Sequence, residues 1–306
     1  MKTVATLIVA LLAAGQSTPQ RFLSGVDVVT VDALVTQGGR ALSGLRASDF
    51  ELRDNGVLQE IDSVTVDEMP VSMLLALDTS NSVEGATLSH LKRAAIAAID
   101  SLTKDDRAAV LTFADAVTLR ADWSAPSPPM RAAIAASAAR GSTSLYDATY
   151  AALTIKDELP GRRSFVLLFS DGGDTSSWLP ARAVMERARR SDAVVYVVAR
   201  RQPRRDVRLE YRSGIDLWAG ATAPQSENPA TLPTMAEVTN ITGGHIFIAE
   251  RADELAALFS TIVRQFRSRY VLTYRPQGVG ATGWHTLDLR LTSGRATVSA
   301  RRGYAK

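Results

Sequence analysis

The strongest constraint on this chain lies in three short runs that carry almost no charged side chain: residues 71–77 (VSMLLAL), 165–169 (FVLLF) and 193–199 (AVVYVVA). A strand of this composition has no face to offer water. It must be covered on both sides, as parallel strands are when helices lie above and below them. Segments with helical spacing fall between the runs, at 88–102, 130–139, 145–159, 179–190 and 235–242, and shorter strand-like stretches stand at 108–113 and 245–248. A last helix over 253–267 sets Leu255, Leu258, Phe259, Ile262, Val263 and Phe266 on one stripe. The alternation of strand and helix from about 71 to 267 predicts an α/β fold, a doubly wound, mostly parallel sheet with helices on both faces.

The sequence on either side reads differently. Residues 26–37 are rich in Val and Thr and alternate in part, and 50–53 and 57–61 flank Asp54-Asn55-Gly56. Asn-Gly tolerates positive φ at both turn positions, so this is a hairpin signal. Past the last helix, 270–274, 284–291 and 296–301 are short strands, with Ser293-Gly294 as a turn between the last two. The matching character of the two ends predicts a small β-sandwich-like domain built from 20–68 and 268–306, with the α/β domain of 69–267 inserted into it.

The first residues have a separate logic. Lys2 is followed by a short apolar run over 4–14 (VATLIVALLAA) and then at once by polar residues, with small Ala13 and Gly15 where a peptidase would cut. This pattern predicts a secretory signal peptide over 1–17 and a mature protein that is exported, periplasmic or extracellular, with no later membrane span. The chain has no cysteine, which excludes disulfides, thiolate metal sites and cysteine nucleophiles, and has only three scattered histidines. Its 35 Lys and Arg against 32 Asp and Glu leave a net charge of +3, no argument for a nucleic-acid partner.

Polar chemistry gathers where the buried strands end. Asp78-Thr79-Ser80-Asn81-Ser82 follows the first apolar run, Gly141-Ser142-Thr143 precedes a helix, and Asp171-Gly172-Gly173-Asp174 follows the FVLLF run. In an open α/β sheet, ligands bind beyond the carboxyl ends of the strands. All these groups are hard oxygen donors, which suit Mg²⁺, Mn²⁺ or Ca²⁺ rather than zinc. Taken alone, Ser80 and Ser82 could merely cap a helix; the ordered set of apolar strand, D-x-S-x-S, helix, Gly-x-Thr, helix, apolar strand and Ser-Asp-Gly points to a site.

Over about 69–267 this ordered set resembles the von Willebrand factor type A domain family, and the motif looks like that family's metal-ion-dependent adhesion site. The resemblance implies that Ser80, Ser82 and Thr143 coordinate a divalent cation through hydroxyls, with Asp78 and Asp171 close by, largely through water. It further implies an ion left electrophilic by mostly neutral ligands, with a position open for a carboxylate from a partner. Ser142 replaces the glycine often seen before the threonine, a minor departure, and Asp174 has no place in the motif, so that capping a helix start is its expected role. In the resembled family the last helix can slide when the site is filled, which would let the β-rich part sense the ligand. The flanks, through GLRASDFELRDNG (44–56) and the terminal ARRGYA (300–305), resemble bacterial secreted proteins with such a domain embedded in β-rich sequence.

Other signals carry less. Residues 278–283 match G-x-G-x-x-G, but the strand-like stretch that follows argues for a hairpin loop rather than a dinucleotide site. Asn240-Ile241-Thr242 fits a glycosylation sequon and reads as a helix end. Six arginines make 200–232 basic; it reads as a solvated loop, on the edge where it could help form a rim that selects an acidic partner. The leading expectation is therefore an exported, non-enzymatic module that binds an acidic side chain of a protein or surface polymer through a divalent cation. The alternatives are a metal-dependent hydrolase using the same ion, for which Asp174 is the only spare carboxylate, and a structural envelope protein with a vestigial site.

Overall fold

The computed structural model describes residues 28–66, 70–156, 162–171, 173–200 and 231–306. The expected signal peptide and nearly all of the arginine-rich insert lie outside the described residues.

In chain order the elements are β1 (Val29–Gln37), β2 (Arg40–Ala41), β3 (Phe50–Asp54), β4 (Val57–Gln59), β5 (Ile61–Val66), β6 (Val71–Asp78), α1 (Ala86–Asp100), β7 (Arg107–Phe113), β8 (Val117–Ser124), α2 (Pro128–Ala135) and α3 (Leu145–Lys156). There follow β9 (Arg163–Ser170), α4 (Ala181–Arg190), β10 (Val194–Arg200), α5 (Thr231–Thr242), β11 (Ile246–Ala249), α6 (Leu255–Arg267), β12 (Tyr270–Tyr274), β13 (Trp284–Leu291), β14 (Thr297–Ala300) and β15 (Gly303–Ala305).

The three apolar runs form the middle of a six-stranded sheet ordered β11-β10-β9-β6-β7-β8. All pairs in it are parallel except β7 with β8. Every residue of β6 and β9 is buried, as their composition demands. Alternate side chains feed two cores. Met73, Leu75, Phe165 and Phe169 pack with α1, α2 and α6 on one face; Leu74, Ala76, Val166 and Leu168 pack with α3, α4 and α5 on the other.

The antiparallel edge strand β8 was not among the expected elements. Its burial is mixed, with Leu119 and Arg120 exposed, so its sequence lacks the apolar run that marks a strand covered on both faces.

The two flanks contribute strands to two smaller sheets, one ordered β14-β1-β12-β5 with β2 beside β1, the other β15-β13-β3-β4. Val31, Ala33, Val35, Tyr270, Leu272 and Tyr274 of the first share a core with Phe50, Leu52, Leu287 and Tyr304 of the second. Asn55 and Gly56, at φ +46° and +81°, make the β3–β4 turn that Asn-Gly promises.

Two expected turns prove to be crossings. β12 and β13 lie in different sheets, so the glycine-rich 278–283 stretch connects sheets instead of closing a hairpin; β13 follows it, leaving no helix N-terminus to hold a pyrophosphate. Ser293-Gly294 likewise carries the chain from one sheet to the other.

Candidate functional site

The strand order decides where a site can form. From β6 the chain moves to β7 on one side, and then returns to place β9 on the other. Beyond the carboxyl ends of β6 and β9 the connections therefore diverge and leave a crevice. Asp78 is the last residue of β6, Ser170 is the last of β9, and Asp171 follows it directly.

Four of the five residues singled out in the sequence meet there in one chain of hydrogen bonds. The Asp78 Oδ1 accepts from the Ser80 backbone N–H at 2.9 Å and from the Ser80 hydroxyl at 2.6 Å. The Ser80 and Ser82 hydroxyls are 2.9 Å apart, and Ser82 donates to Asp171 Oδ1 at 2.6 Å. Thr143 joins by way of its loop. Asn81 donates its backbone N–H to the Gly141 carbonyl, and Arg140 donates its own to the Thr79 carbonyl, so that 140–143 lies against 79–81. Asp78, Ser80, Thr143 and Asp171 are buried and Ser82 is exposed, which makes Ser82 the open side of the crevice.

The Thr143 loop is held from two directions. Asp115, just past β7, accepts the Ser142 N–H at 2.7 Å. Gly141 has φ +68°, and a Cβ there would overlap the Asp115 carboxylate, so glycine is required for both reasons. From the other side Thr175 and Ser176 donate backbone N–H groups to the Thr143 carbonyl. Asp174 accepts the Tyr146 N–H in the first turn of α3 at 3.1 Å and the Ser177 hydroxyl. It caps a helix start, the role its sequence context suggested.

Burial and the nearby Asp171 charge push the Asp78 carboxyl up to about 6, against the opposing pull of hydrogen bonds from Ser80 and Ser170. Burial is the larger of the two causes, because it disfavours the charged form of the carboxyl.

Three contributors stand outside the five residues singled out in the sequence: Asp115, which it did not mark, Ser170, which it marked only as the first residue of Ser-Asp-Gly, and Arg200, which it marked only as one arginine of the basic 200–232 stretch. Ser170 donates to Asp78 Oδ2 at 2.7 Å. Arg200, at the end of β10, donates to Thr87 at 2.6 Å and holds its guanidinium 3.9 Å from Asp171 Oδ2. Asp115, Ser170 and Arg200 share a signal that was available: each sits at or just past the carboxyl end of a sheet strand. That position on a strand is informative even where no motif names the residue.

The oxygen set suits a small divalent cation. Two ligands adjacent in an octahedron at about 2.0–2.1 Å from Mg²⁺ stand about 2.9 Å apart, and the two serine hydroxyls already have that separation. Among the described residues no group of three or more His, Cys, Asp or Glu side chains could hold a metal. A cation here would depend on hydroxyls.

An open sheet with its polar crevice at the reversal of strand order defines a class of α/β domains that take ligands at that crevice. Within that class, this chain belongs to the von Willebrand factor type A domain family, whose sequence profile matches residues 73–261.

Similarity of fold extends beyond the profile. A von Willebrand factor type A protein from Catenulispora acidiphila superposes with a TM-score of 0.53 at 16% identity, over 88% of this chain and 75% of that one. Proximal thread matrix protein 1 from the mussel byssus superposes with a TM-score of 0.51 at 15% identity, over 69% of this chain and 49% of that one. A structure of the same mussel protein with a zinc-occupied metal-ion-dependent adhesion site motif gives 0.50 at 16% identity, with the same coverage. This chain spans about half the length of the mussel protein. At such identities the likeness concerns the fold. No curated protein matches the chain.

Proposed function

We propose that this chain is an exported binding module whose crevice holds one divalent cation and uses it to grip a carboxylate of a partner protein or surface polymer. The observation that carries this reading is the continuous run of oxygens from Asp78 through Ser80 and Ser82 to Asp171, with hydroxyls already at ligand spacing. Ser80, Ser82 and Thr143 would supply neutral oxygens, and Asp78 and Asp171 would balance the charge of the ion. A bound cation supplies an electrophilic centre for an incoming anion. Exposed Ser82 marks the side from which a partner would approach.

Mg²⁺, Mn²⁺ and Ca²⁺ remain the cations this donor set suits best. Because the mussel relative carries zinc at its motif, Zn²⁺ belongs in the same comparison. The reading of export rests on the N-terminal sequence pattern. Among the described residues no helix is long and apolar enough to cross a membrane.

The hydrolase alternative needs a base beside the ion, and the geometry gives it little support. Asp174 is committed to Tyr146 and Ser177. His285 is engaged with Asp54 in the core shared by the two smaller sheets, and His90 contacts Arg93 on α1.

The test is retention on surfaces coated with poly-L-glutamate or poly-L-glutamine, in Mn²⁺ or in chelator. The expected result is retention on the glutamate surface only, in Mn²⁺ only, and its loss in Ser80→Ala/Ser82→Ala. Equal retention in chelator would refute the reading.

A further inference from the structure

The most exposed large apolar side chain among the described residues is Trp178, 92% accessible, in the loop between β9 and α4. A lone apolar residue on a surface ordinarily needs no explanation. Here the backbone beneath it is unusually constrained. The Asp147 carboxylate accepts the Trp178 N–H at 3.0 Å and the Leu179 N–H at 2.9 Å, one on each oxygen. Asp147 in turn donates its own N–H to Ser177, and Ser177 donates to Asp174. Asp174 donates its N–H to Thr231 at the start of α5.

The same loop is tied to the cation crevice. Thr175 and Ser176 donate to the Thr143 carbonyl at 2.8 and 3.1 Å, and Thr143 returns its N–H to the Thr175 hydroxyl at 2.9 Å. Three residues of chain span at most about 11 Å, so the Trp178 backbone stays within that reach of the residue bonded to Thr143. A rigid loop holding an indole in water, beside a crevice that opens outward at Ser82, has the properties of an interface anchor. Tryptophan offers large contact area at little entropic cost, and the loop is ordered before any partner arrives.

We propose that Trp178 and the crevice form one composite docking surface for an acidic loop of a partner protein. The partner would place a carboxylate at the crevice and a bulky apolar side chain, about two residues away, against the indole. Charge complementarity supports an acidic occupant. Arg200 stands 3.9 Å from Asp171 on the neighbouring strand and remains partly exposed, adding positive potential to that of the ion. Trp178 supplies the apolar contact that a carboxylate cannot use. This inference rests on the cation reading above and adds to it the nature of the partner.

The test uses two blocked pentapeptides, Ac-Leu-Gly-Asp-Gly-Leu-NH₂ and Ac-Gly-Gly-Asp-Gly-Gly-NH₂, titrated into the full chain with Mg²⁺ or with chelator while its backbone amide resonances are followed by NMR. Partial burial of one leucine predicts about fivefold tighter binding of the first peptide. In Trp178→Ala that advantage should vanish, while binding of the glycine peptide stays unchanged. Because the indole is exposed, the variant should keep the wild-type melting temperature. Equal affinity of the two peptides for the wild type, or a leucine advantage that survives in Trp178→Ala, would overturn the proposal and leave the cation site standing. Absence of any Mg²⁺-dependent binding of either peptide would overturn the cation reading and this surface with it.

Discussion

Gly141 is the residue on which the Thr143 loop turns. Its φ of +68° and the Asp115 carboxylate above it leave no room for a side chain. Gly141→Ala should push Asp115 off the Ser142 N–H and displace Thr143. The expected cost is about 1–3 kcal/mol in chemical denaturation, with cation affinity at least about tenfold weaker by calorimetry. Arg200 makes the opposite case. Its guanidinium adds positive charge near Asp171, where a cation would enter. Arg200→Gln should therefore bind Mn²⁺ about three- to tenfold more tightly at low salt, with the gain shrinking at high salt. A variant with unchanged or weaker affinity would place the guanidinium outside the field of the site. At this scale the sequence was most informative where a motif existed. Asp78, Ser80, Ser82 and Asp171 were legible from their order and from the strands they follow, and they do meet. Asp115 and Asp147 were not, because a clamp is defined by what it touches across the fold, and Arg200 stood out only as one of the arginines of a basic stretch, with nothing in the sequence to set it beside Asp171.

Among the elements, Asp106 works as a latch. It is fully buried between α1 and β7, where it accepts the Val71 N–H at 2.8 Å, the Thr103 N–H and hydroxyl, and a hydrogen bond from Arg267 at the end of α6. Burial alone would raise its carboxyl, but these hydrogen bonds outweigh burial and hold it below the ordinary carboxylate range. A lowered value in the folded state means that the unfolded chain takes up the proton first. The stabilisation is complete above about pH 4 and is lost as pH falls below that. Asp106→Asn should cost about 1–3 kcal/mol at neutral pH and flatten the acid limb of the stability curve; an unchanged acid limb would contradict the latch. The elements read best from sequence were those with one unambiguous environment. β6, β9 and β10 announce themselves because both faces are covered. β8, at an open edge, and β15, three residues long, offer too little pattern. The glycine-rich 278–283 stretch misled for a related reason: a turn signal marks where the chain bends, and says nothing about which sheet receives it.

For the molecule as a whole, the flanking strands are locked to the central sheet at the edge away from the crevice. Arg269 is fully buried and donates to the Tyr196 hydroxyl on β10, to the Asp32 carbonyl on β1 and to the Ser299 carbonyl on β14. Arg163, the first residue of β9, pairs with Asp32 and lies over the Phe266 ring. Gly243, at φ +76°, would bring a Cβ within 2.5 Å of the Ala300 carbonyl carbon, and Arg302 donates its N–H to the Ile241 carbonyl.

This lock gives the terminal ARRGYA a physical meaning. Arg302 bonds α5, Gly303 lets the strand lie against Trp284, and Tyr304 donates to Asp54 in the same buried cluster as Tyr274 and His285. Arg269→Ala should leave two carbonyls without their donor. It should lower a single calorimetric transition by about 2–4 kcal/mol, whereas two separate transitions in the wild type would contradict the lock.

The claim on which the function turns is that Asp78, Ser80, Ser82, Thr143 and Asp171 together take up one hard cation. Isothermal titration of the purified chain with MgCl₂ and MnCl₂, beside Ser80→Ala/Ser82→Ala, measures it directly. One site per chain in the wild type, lost in the double variant while its melting temperature stays near that of the wild-type protein without added cation, is the predicted result. No uptake by a well-folded wild type, or equal uptake by the double variant, would contradict it.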